Sequence, residues 1–334
     1  MKVAFNRTPR RSPWGGGAHF ATTFADYLVA NGHEVVYGLE TEVDRIVMLD
    51  PRWEAGGFGV DSISVYQRMF PNVKVLHRVN DTGATRGGDE LDNCIIDANR
   101  LVADATVFIS KWVADYFAAK GLNPRNQTVI TNGCDANFFH PSPSSTEWRE
   151  RGWQRRNSWS ETNEFYPPGP DKPRNPLKLV THHWSDNPAK GLDLYKHIDD
   201  LIGKGAPIEF TYVGRYPKEH APKHTKVVAP LYGAALGGEL RQHDVYVTAA
   251  RWEACGSHHV EGAACGLPVV YHKDGGGVVE MCRRYGEAIG DPSELKEALT
   301  KIKNYYKSYM WSAESADLSS DTMCEKYLRA LGSL

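Results

Sequence analysis

Two glutamates, Glu253 and Glu261, lie eight residues apart in the segment that contains most of the candidate chemical groups of the sequence. An apolar run precedes the first glutamate and small residues follow the second, so we predict a strand, a loop with Glu253 and a helix with Glu261. Open α/β sheets bind their ligands beside such loops, at the carboxyl ends of the strands. The spacing alone does not establish a site, because pairs of exposed glutamates occur at this distance by chance.

The predicted start of that helix, at Gly256, Ser257 and His258, would offer free backbone N–H groups to a ligand. These groups, together with the positive end of the helix dipole, favour a phosphate. The segment therefore indicates a phosphate-containing ligand beside the glutamate pair.

The residues after the second glutamate add a more specific signal. The motif G-L-P-V-V at Gly266 to Val270 is followed by Gly275 to Gly277 and by Glu280. In this order the segment resembles the family-four retaining glycosyltransferases, which are marked by two glutamates separated by seven residues, a small-residue helix, G-x-P-V and a glycine turn. The resemblance implies that Glu253 is catalytic and reaches hydroxyl groups of the donor sugar, and that Glu261 binds the ribose.

Three further segments extend the resemblance over nearly the whole chain: Asp104 to Ser110, Thr131 to Asp135 and Phe139 to Pro141. They are structural marks of the family and carry no chemistry of their own. The resemblance implies an α/β protein with the GT-B fold, in which two Rossmann-like parallel-sheet domains face a cleft. It also implies that the donor is a nucleotide-diphosphate sugar.

Lys190 is the first candidate for neutralising the donor diphosphate, because the tripeptide Ala-Lys-Gly around it is similar to a segment with this role in the family. An ammonium group suits the task as a compact point charge. Many relatives carry a Gly-Arg pair just upstream, which this chain lacks. His182, His183 and Arg215 are the candidates for replacing that arginine, although Arg215 could equally be a surface charge.

The N-terminal glycine loop ends at Gly16 and Gly17 and opens a predicted helix, where backbone amides could bind a phosphate. It lacks the spacing of a dinucleotide fingerprint, which disfavours an oxidoreductase. A second candidate site lies at the end of a predicted strand. There His77 could relay a proton, Asp81 could accept one from the acceptor hydroxyl, and Arg78 could bind a phosphate or pair with Asp81. The alternative is a buried, hydrogen-bonded cluster.

The elements that must position these residues follow from hydrophobic periodicity. Short apolar runs alternate with helical patterns, which predicts parallel sheets covered by helices. We assign residues 1–140 to an N-terminal acceptor domain and residues 177–304 to a C-terminal nucleotide-sugar-binding domain. Residues 141–176, rich in proline, serine and charge, are predicted to be a linker or insertion. The helical stretch 305–334 is predicted to pack back on the N-terminal domain.

Composition restricts the remaining possibilities. The formal charge of the 334-residue chain is -2, so no global field attracts a nucleic acid or an anionic membrane. The six cysteines form no C-x-x-C pair, which favours reduced thiols and a cytoplasmic protein, soluble or peripherally membrane-associated. No apolar run is long enough to cross a bilayer.

These observations together predict a retaining, metal-independent glycosyltransferase without a bound cofactor. The adjacent His258 and His259 do not form the i, i+4 pair of a helical zinc site, and no D-x-D follows a strand. The acceptor, a hydroxyl on a glycan, lipid, small molecule or modified nucleic acid, stays open. So do three alternatives: a GT-B nucleotide-sugar epimerase, a phosphorylase-like enzyme, and a non-catalytic module that binds a sugar or a nucleic acid through basic stretches such as Arg149 to Arg156.

Overall fold

Two compact units make up the protein. The structure, a computed structural model, describes residues 1–9, 16–39, 42–52, 57–85, 88–141 and 173–334. The first unit contains Met1–Gly133, Trp252–Gly256 and Ser320–Leu334, and the second contains Cys134–Arg251 and Ser257–Ser319. Most of the predicted linker, residues 142–172, lies outside the described residues, as do the basic stretch predicted within it and the start of the glycine loop.

A six-stranded parallel sheet in the order β2-β1-β3-β4-β5-β6 forms the centre of the first unit. Its strands are β1 (Lys2–Phe5), β2 (Glu34–Val36), β3 (Arg45–Met48), β4 (Lys74–Val79), β5 (Ala105–Phe108) and β6 (Gln127–Val129). The connections include the helices α1 (Gly16–Ala30), α2 (Val60–Met69), α3 (Glu90–Val102) and α4 (Lys111–Ala119). Parallel neighbours require such crossovers, and both faces of the sheet are buried as a result.

The second unit repeats this plan in the order β12-β11-β10-β7-β8-β9. Its strands are β7 (Leu177–His183), β8 (Ile208–Gly214), β9 (Lys226–Val228), β10 (Val245–Thr248), β11 (Val269–His272) and β12 (Gly286–Ile289). Its helices are α5 (Leu192–Gly203), α6 (Gly233–Leu240), α7 (Ser257–Ala264), α8 (Gly277–Cys282), α9 (Leu295–Asn304) and α10 (Tyr306–Glu314). The last helix of the chain, α11 (Ser320–Gly332), belongs to the first unit.

Each sheet has one point at which the strand order changes direction. In the first sheet this switch point lies between β1 and β3, and in the second sheet it lies between β7 and β10. Two neighbouring crossovers leave the sheet on opposite faces there, which opens a crevice beyond the carboxyl ends of the two strands. These two places are where such sheets bind ligands.

The hydrophobic core follows the strand alternation. In β1, Val3 and Phe5 join a cluster with α1 and α11 on one face of the sheet, whereas Ala4 joins a cluster with α2 and α3 on the other face. Successive strand residues point to opposite faces, so one strand supplies both clusters. The second sheet is covered on both faces in the same way.

The C-terminal stretch is divided between the units, which corrects the prediction that residues 305–334 all pack on the N-terminal domain. Helix α11 does so, and the ring centroid of Tyr327 lies 4.6 Å from that of Phe20 on α1. Helix α10 lies in the second unit, because Tyr306 and Ala313 fill apolar positions in its two core clusters. Both helices are amphipathic, and their sequences do not specify which core they cover.

Gly191 sets a close contact at the switch point of the second sheet. Its φ is +98°, and an added Cβ would lie 2.3 Å from the Cβ of Ala249, which follows β10. Gly205, at the end of α5, also has a positive φ of +84°, but nothing lies within 4 Å of its Cβ position. Comparing substitutions at the two glycines therefore distinguishes the cost of a positive φ from the cost of a steric contact.

Gly205→Ala should lower the free energy of unfolding by about 1–2 kcal/mol, the cost of placing an L-residue in the left-handed region. Gly191→Ala should cost about 1–3 kcal/mol more, because its methyl group also overpacks against Ala249. Urea unfolding of both variants measures the difference. Equal losses would contradict the close contact.

Candidate functional site

Buried polar side chains are linked at the switch point of the second sheet. His182, near the end of β7, places its Nε2 2.7 Å from Oε2 of Glu261 on α7 and its Nδ1 3.2 Å from the hydroxyl of Tyr246 on β10. Burial raises the pKa of Tyr246 well above its usual value, so its hydroxyl keeps its proton and can donate to Nδ1. Nε2 then carries the imidazole proton and donates to Glu261. This assignment satisfies every member of the chain.

Glu261 is held on one side and open on the other. It is 9% exposed, and within the described residues His182 is the one hydrogen-bond partner of its carboxylate. The remaining oxygen, Oε1, can accept hydrogen bonds from hydroxyl groups of a ligand. A fixed carboxylate with one available oxygen at a switch point suits the recognition of a polar ligand.

Two further histidines lie beside the hydrogen-bonded chain of Tyr246, His182 and Glu261, and both are uncharged. His183 Nε2 is 2.6 Å from the hydroxyl of Tyr195 on α5, and His258 Nε2 is 2.9 Å from Oγ1 of Thr248. Burial lowers the pKa of both imidazoles well below the usual value, and the positive charge of Lys190 adds to the effect. The prediction that His183 replaces the missing arginine is therefore wrong, because a neutral, buried ring supplies no positive charge.

Lys190 ends a 3-10 helix, Pro188–Lys190, immediately before α5. The backbone N–H of Arg251 donates to the carbonyl of Ala189 at 3.0 Å, which joins this turn to the segment that follows β10. The charge of Lys190 contributes to the lowered pKa values of His183 and His258, so Lys190 lies near these two rings. The structure thus brings Lys190, Glu261 and His258 together at one end of the second sheet.

Arg251 is a cation at this switch point that the sequence did not single out. It is the third residue after β10, and its guanidinium pairs with Asp193 at 2.5 Å and donates to His272 Nε2 at 3.3 Å. Arg215, which the sequence did predict, follows β8, the next strand outward from β7, and is exposed. The available signal for Arg251 was its position just beyond a central strand. Recognising β10 as central requires the order of the strands in the sheet, which the sequence alone does not give.

The first glutamate of the pair belongs to the other unit. Glu253 lies in the segment Trp252–Gly256, which is half-buried at that residue and groups with the first unit. Ser110 Oγ donates to the carbonyl of Ala254 at 2.6 Å, and Asn132 Nδ2 donates to the carbonyl of Cys255 at 2.6 Å. Gly256 ends this segment and Ser257 begins α7, so the predicted phosphate-binding amides start the second unit's helix.

The predicted cluster of His77, Arg78 and Asp81 is split by the sheet. His77 is fully buried, its Nδ1 lies 2.9 Å from the amide nitrogen of Asn99 on α3, and burial lowers its pKa to about 3. The next residue, Arg78, points to the opposite face, where α1 and α11 pack. Both side chains occupy core positions without contact to solvent, which argues against the predicted proton relay through His77.

The prediction that Arg78 binds a phosphate or pairs with Asp81 is wrong. Its guanidinium donates to Asn132 Oδ1 at 2.8 Å and to the hydroxyl of Tyr327 at 3.1 Å, and it lies 4.0 Å from the centroid of Phe20. Burial removes it from the reach of a ligand. Its three contacts identify it as part of the core of the first unit.

The switch point of the first sheet contains a carboxylate with two arginines. Asp50, after β3, is buried and accepts from Arg7 at 2.7 Å and from Arg52 at 2.5 Å. Although burial opposes ionisation, hydrogen bonds from Arg52 lower the pKa of Asp50. Hydrogen bonding to Asp50, with a smaller contribution from the charge of Asp81, raises the pKa of Arg52. Asp81 is therefore near this group.

Gly16 and Gly17 are the first residues of α1, so their amides lie at its N-terminus as predicted for a loop that opens a helix. An added Cβ at Gly17 would lie 3.0 Å from the side-chain nitrogen of Asn80. The contact is tight, which explains a small residue at this position. It does not test the predicted phosphate contact.

Among the described residues, two kinds of structural feature are absent. No group of three or more histidine, cysteine, aspartate or glutamate side chains there is arranged to hold a metal ion. No helix in the same parts of the chain combines the length and the apolar character that a bilayer crossing needs. All six cysteines are free thiols, and five of them are buried.

Two parallel six-stranded sheets, each covered by helices, match the GT-B fold, and the fold prediction is confirmed. The solved structure of Anabaena HepE in complex with UDP and glucose is similar to this chain over 100% of both chains, with a TM-score of 0.70 and 16% sequence identity.

Sequence comparison finds similarity to glycosyltransferases. Residues 205–316 match the model for glycosyl transferases group 1. The chain is 28% identical over 210 residues to the sulfoquinovosyl transferase SQD2 of Arabidopsis thaliana, covering 60% of this chain and 37% of that protein. It is 27% identical over 167 residues to a probable sucrose-phosphate synthase of Thermosipho melanesiensis, covering 44% and 38%. These similarities support the predicted resemblance to the family-four glycosyltransferases, and the matches span less than two fifths of these curated relatives.

His259 provides a test of the buried histidines on α7. Neither of its ring nitrogens has a hydrogen-bond partner among the described residues, and burial lowers its pKa to about 3. The unfolded chain binds a proton at this residue below about pH 6.5, whereas the folded chain does not. The folded state therefore loses stability as the pH falls from 6.5 toward 3.

His259→Leu should reduce the loss of unfolding free energy between pH 7.5 and pH 5 by about 2 kcal/mol, since each pH unit contributes about 1.4 kcal/mol per proton. His220→Leu, which changes an exposed histidine, is the control and should leave the pH dependence unchanged. The measurement is urea unfolding at a series of pH values. A pH dependence that is the same in all three proteins would show that His259 is not buried and neutral.

Proposed function

We propose that this chain is a retaining, metal-independent glycosyltransferase that transfers a sugar from a nucleotide-diphosphate donor to a hydroxyl group of an acceptor. The observation that carries the proposal is the Tyr246–His182–Glu261 chain at the switch point of the second sheet, beside Lys190. The match of residues 205–316 to glycosyl transferases group 1 supports the reaction class. Uridine diphosphate is the first nucleotide to test, because a solved structure of similar fold contains UDP and glucose.

Each candidate residue has a physical role in this proposal. Glu261 accepts hydrogen bonds from the ribose through Oε1, and Lys190 together with the first N–H groups of α7 binds the diphosphate. Negative charge builds up on the diphosphate as the sugar leaves, so these fixed donors stabilise the transition state. Arg251 takes the place of the missing Gly-Arg cation, and Glu253 orients the sugar hydroxyls.

The first prediction concerns the donor. The sugar nucleotide that the protein uses should stabilise it against thermal unfolding by about 2.7 kcal/mol at a hundred times its dissociation constant. UDP-glucose, GDP-mannose and dTDP-glucose, each with its nucleoside diphosphate, are compared by differential scanning fluorimetry. No shift with any member of the panel would contradict a nucleotide-sugar site in this chain.

The second prediction concerns the charged residues. Lys190→Ala and Glu253→Gln should each lower kcat/KM by about a hundredfold or more, because each removes a contact that stabilises the transition state. Their thermal midpoints should stay close to the wild-type value. Lys204→Ala and Glu219→Gln make the same changes at exposed residues of the second unit and are the matched controls, with activity expected at the wild-type level.

Activity is measured as release of the nucleoside diphosphate in the presence of acceptor mixtures. Proton NMR of the product should give the same anomeric configuration as the donor, and activity should persist in EDTA. Wild-type activity of the Lys190 variant would remove that residue from the site. Inversion of configuration, or loss of activity on chelation, would overturn the corresponding part of the proposal. Conversion of the sugar nucleotide without an acceptor would instead identify an epimerase.

A further inference from the structure

Two consecutive carbonyl groups in the Glu253 segment, Trp252–Gly256, accept hydrogen bonds from side chains in the N-terminal part of the first unit. Ser110, which caps α4, donates to Ala254, and Asn132, which follows β6, donates to Cys255. Both donors are buried and both bonds are 2.6 Å long. They fix the backbone directly after Glu253, whose own neighbour Trp252 adopts a positive φ of +55°.

The amide of Asn132 has only one possible orientation. Its Oδ1 faces Arg78, which can only donate hydrogen bonds, and its Nδ2 faces the carbonyl of Cys255, which can only accept them. Arg78 therefore determines which end of the amide points toward the Glu253 segment. Tyr327 and Phe20 hold the guanidinium from its other sides.

The choice of an amide at this position is costly for stability. Arg78 is 1% exposed, its Nη1 has no hydrogen-bond partner among the described residues, and no carboxylate there pairs with it. A buried cation without a counter-ion is unfavourable, and an aspartate at position 132 would neutralise it. Asparagine lacks that charge, but it supplies the N–H group that is donated to Cys255 and that an aspartate could not supply.

We infer that Asn132, oriented by Arg78, and Ser110 are positioning residues that hold the Glu253 segment in its reactive conformation. The inference rests on the proposed function, since it assigns Glu253 to the sugar of the donor. The two residues do not touch the donor themselves. They act through the backbone that carries Glu253.

The decisive variant is Asn132→Asp. The carboxylate keeps the contact with Arg78 as an ion pair, stays ionised beside that cation, and cannot donate to Cys255. The thermal midpoint should therefore stay at or above the wild-type value while kcat/KM falls by about ten- to a hundredfold, as expected when a reacting group is displaced by about 1 Å. Affinity for the nucleoside diphosphate alone should not change, because that ligand lacks the sugar that Glu253 contacts.

A double-mutant cycle separates positioning from a general structural effect. In the Glu253→Gln background, Asn132→Asp should cause little further loss, because residues that act as a unit are not additive. The same cycle with Ser110→Ala should give the same coupling. It tests the inference in place of the first cycle if the Asn132 variant does not fold. Affinities for the tightest-binding sugar nucleotide of UDP-glucose, GDP-mannose and dTDP-glucose are measured by calorimetry alongside the rates.

Tyr327→Phe is the matched control. It removes the hydrogen bond from Arg78 to its other neutral partner, the hydroxyl of Tyr327, and leaves the bond between Asn132 and Cys255 in place. It should therefore lower the thermal midpoint without lowering kcat/KM. Additive losses in the cycle, or an Asn132→Asp enzyme as active as wild type, would overturn the inference while leaving the proposed function intact. A wild-type protein that binds none of the three sugar nucleotides would overturn both.

Discussion

The hydrogen-bonded chain from Tyr246 through His182 to Glu261 is the interaction on which the candidate site of the second unit depends. It lies where the strand order reverses, so two central strands and the helix after them meet in one set of contacts. A phenol that keeps its proton fixes the tautomer of the imidazole, and the imidazole in turn fixes one oxygen of the carboxylate. Glu261 is thereby held in place through one of its two oxygens.

Burial shapes the chemistry around this chain. His183 and His258 lie beside it as neutral rings, partnered by hydroxyl groups of Tyr195 and Thr248. Neutral donors and acceptors in a dry environment hold their geometry well, but they supply no charge for an anionic ligand. The cations at this end of the sheet are Lys190 and Arg251, of which Arg251 pairs with Asp193. Orientation and charge are thus supplied by different residues.

The sequence predicted the two sheets because alternating apolar runs and helical patterns appear in the chain itself, and it placed Glu253 in the loop after a strand and Glu261 in the helix that follows. Lys190 was proposed from the family resemblance. The sequence could not place Arg251, whose importance depends on which strands are central. It joined His77 and Arg78 in one cluster, although neighbours in a strand point to opposite faces, and this error was avoidable from the alternation alone. The assignment of Glu253 to the first unit depends on tertiary hydrogen bonds that no local pattern reports.

The order in which the chain contributes to the first unit has a consequence for biosynthesis. Tyr327 and Leu331 complete a cluster whose other members come mainly from the first 130 residues. A ribosome therefore releases the N-terminal sheet into solution with an uncovered apolar face on α1, and that face stays uncovered until the last helix has been made. During translation this unit must wait for its final helix, and a fragment that stops before Ser320 would keep the exposed surface on which aggregation and chaperone binding begin.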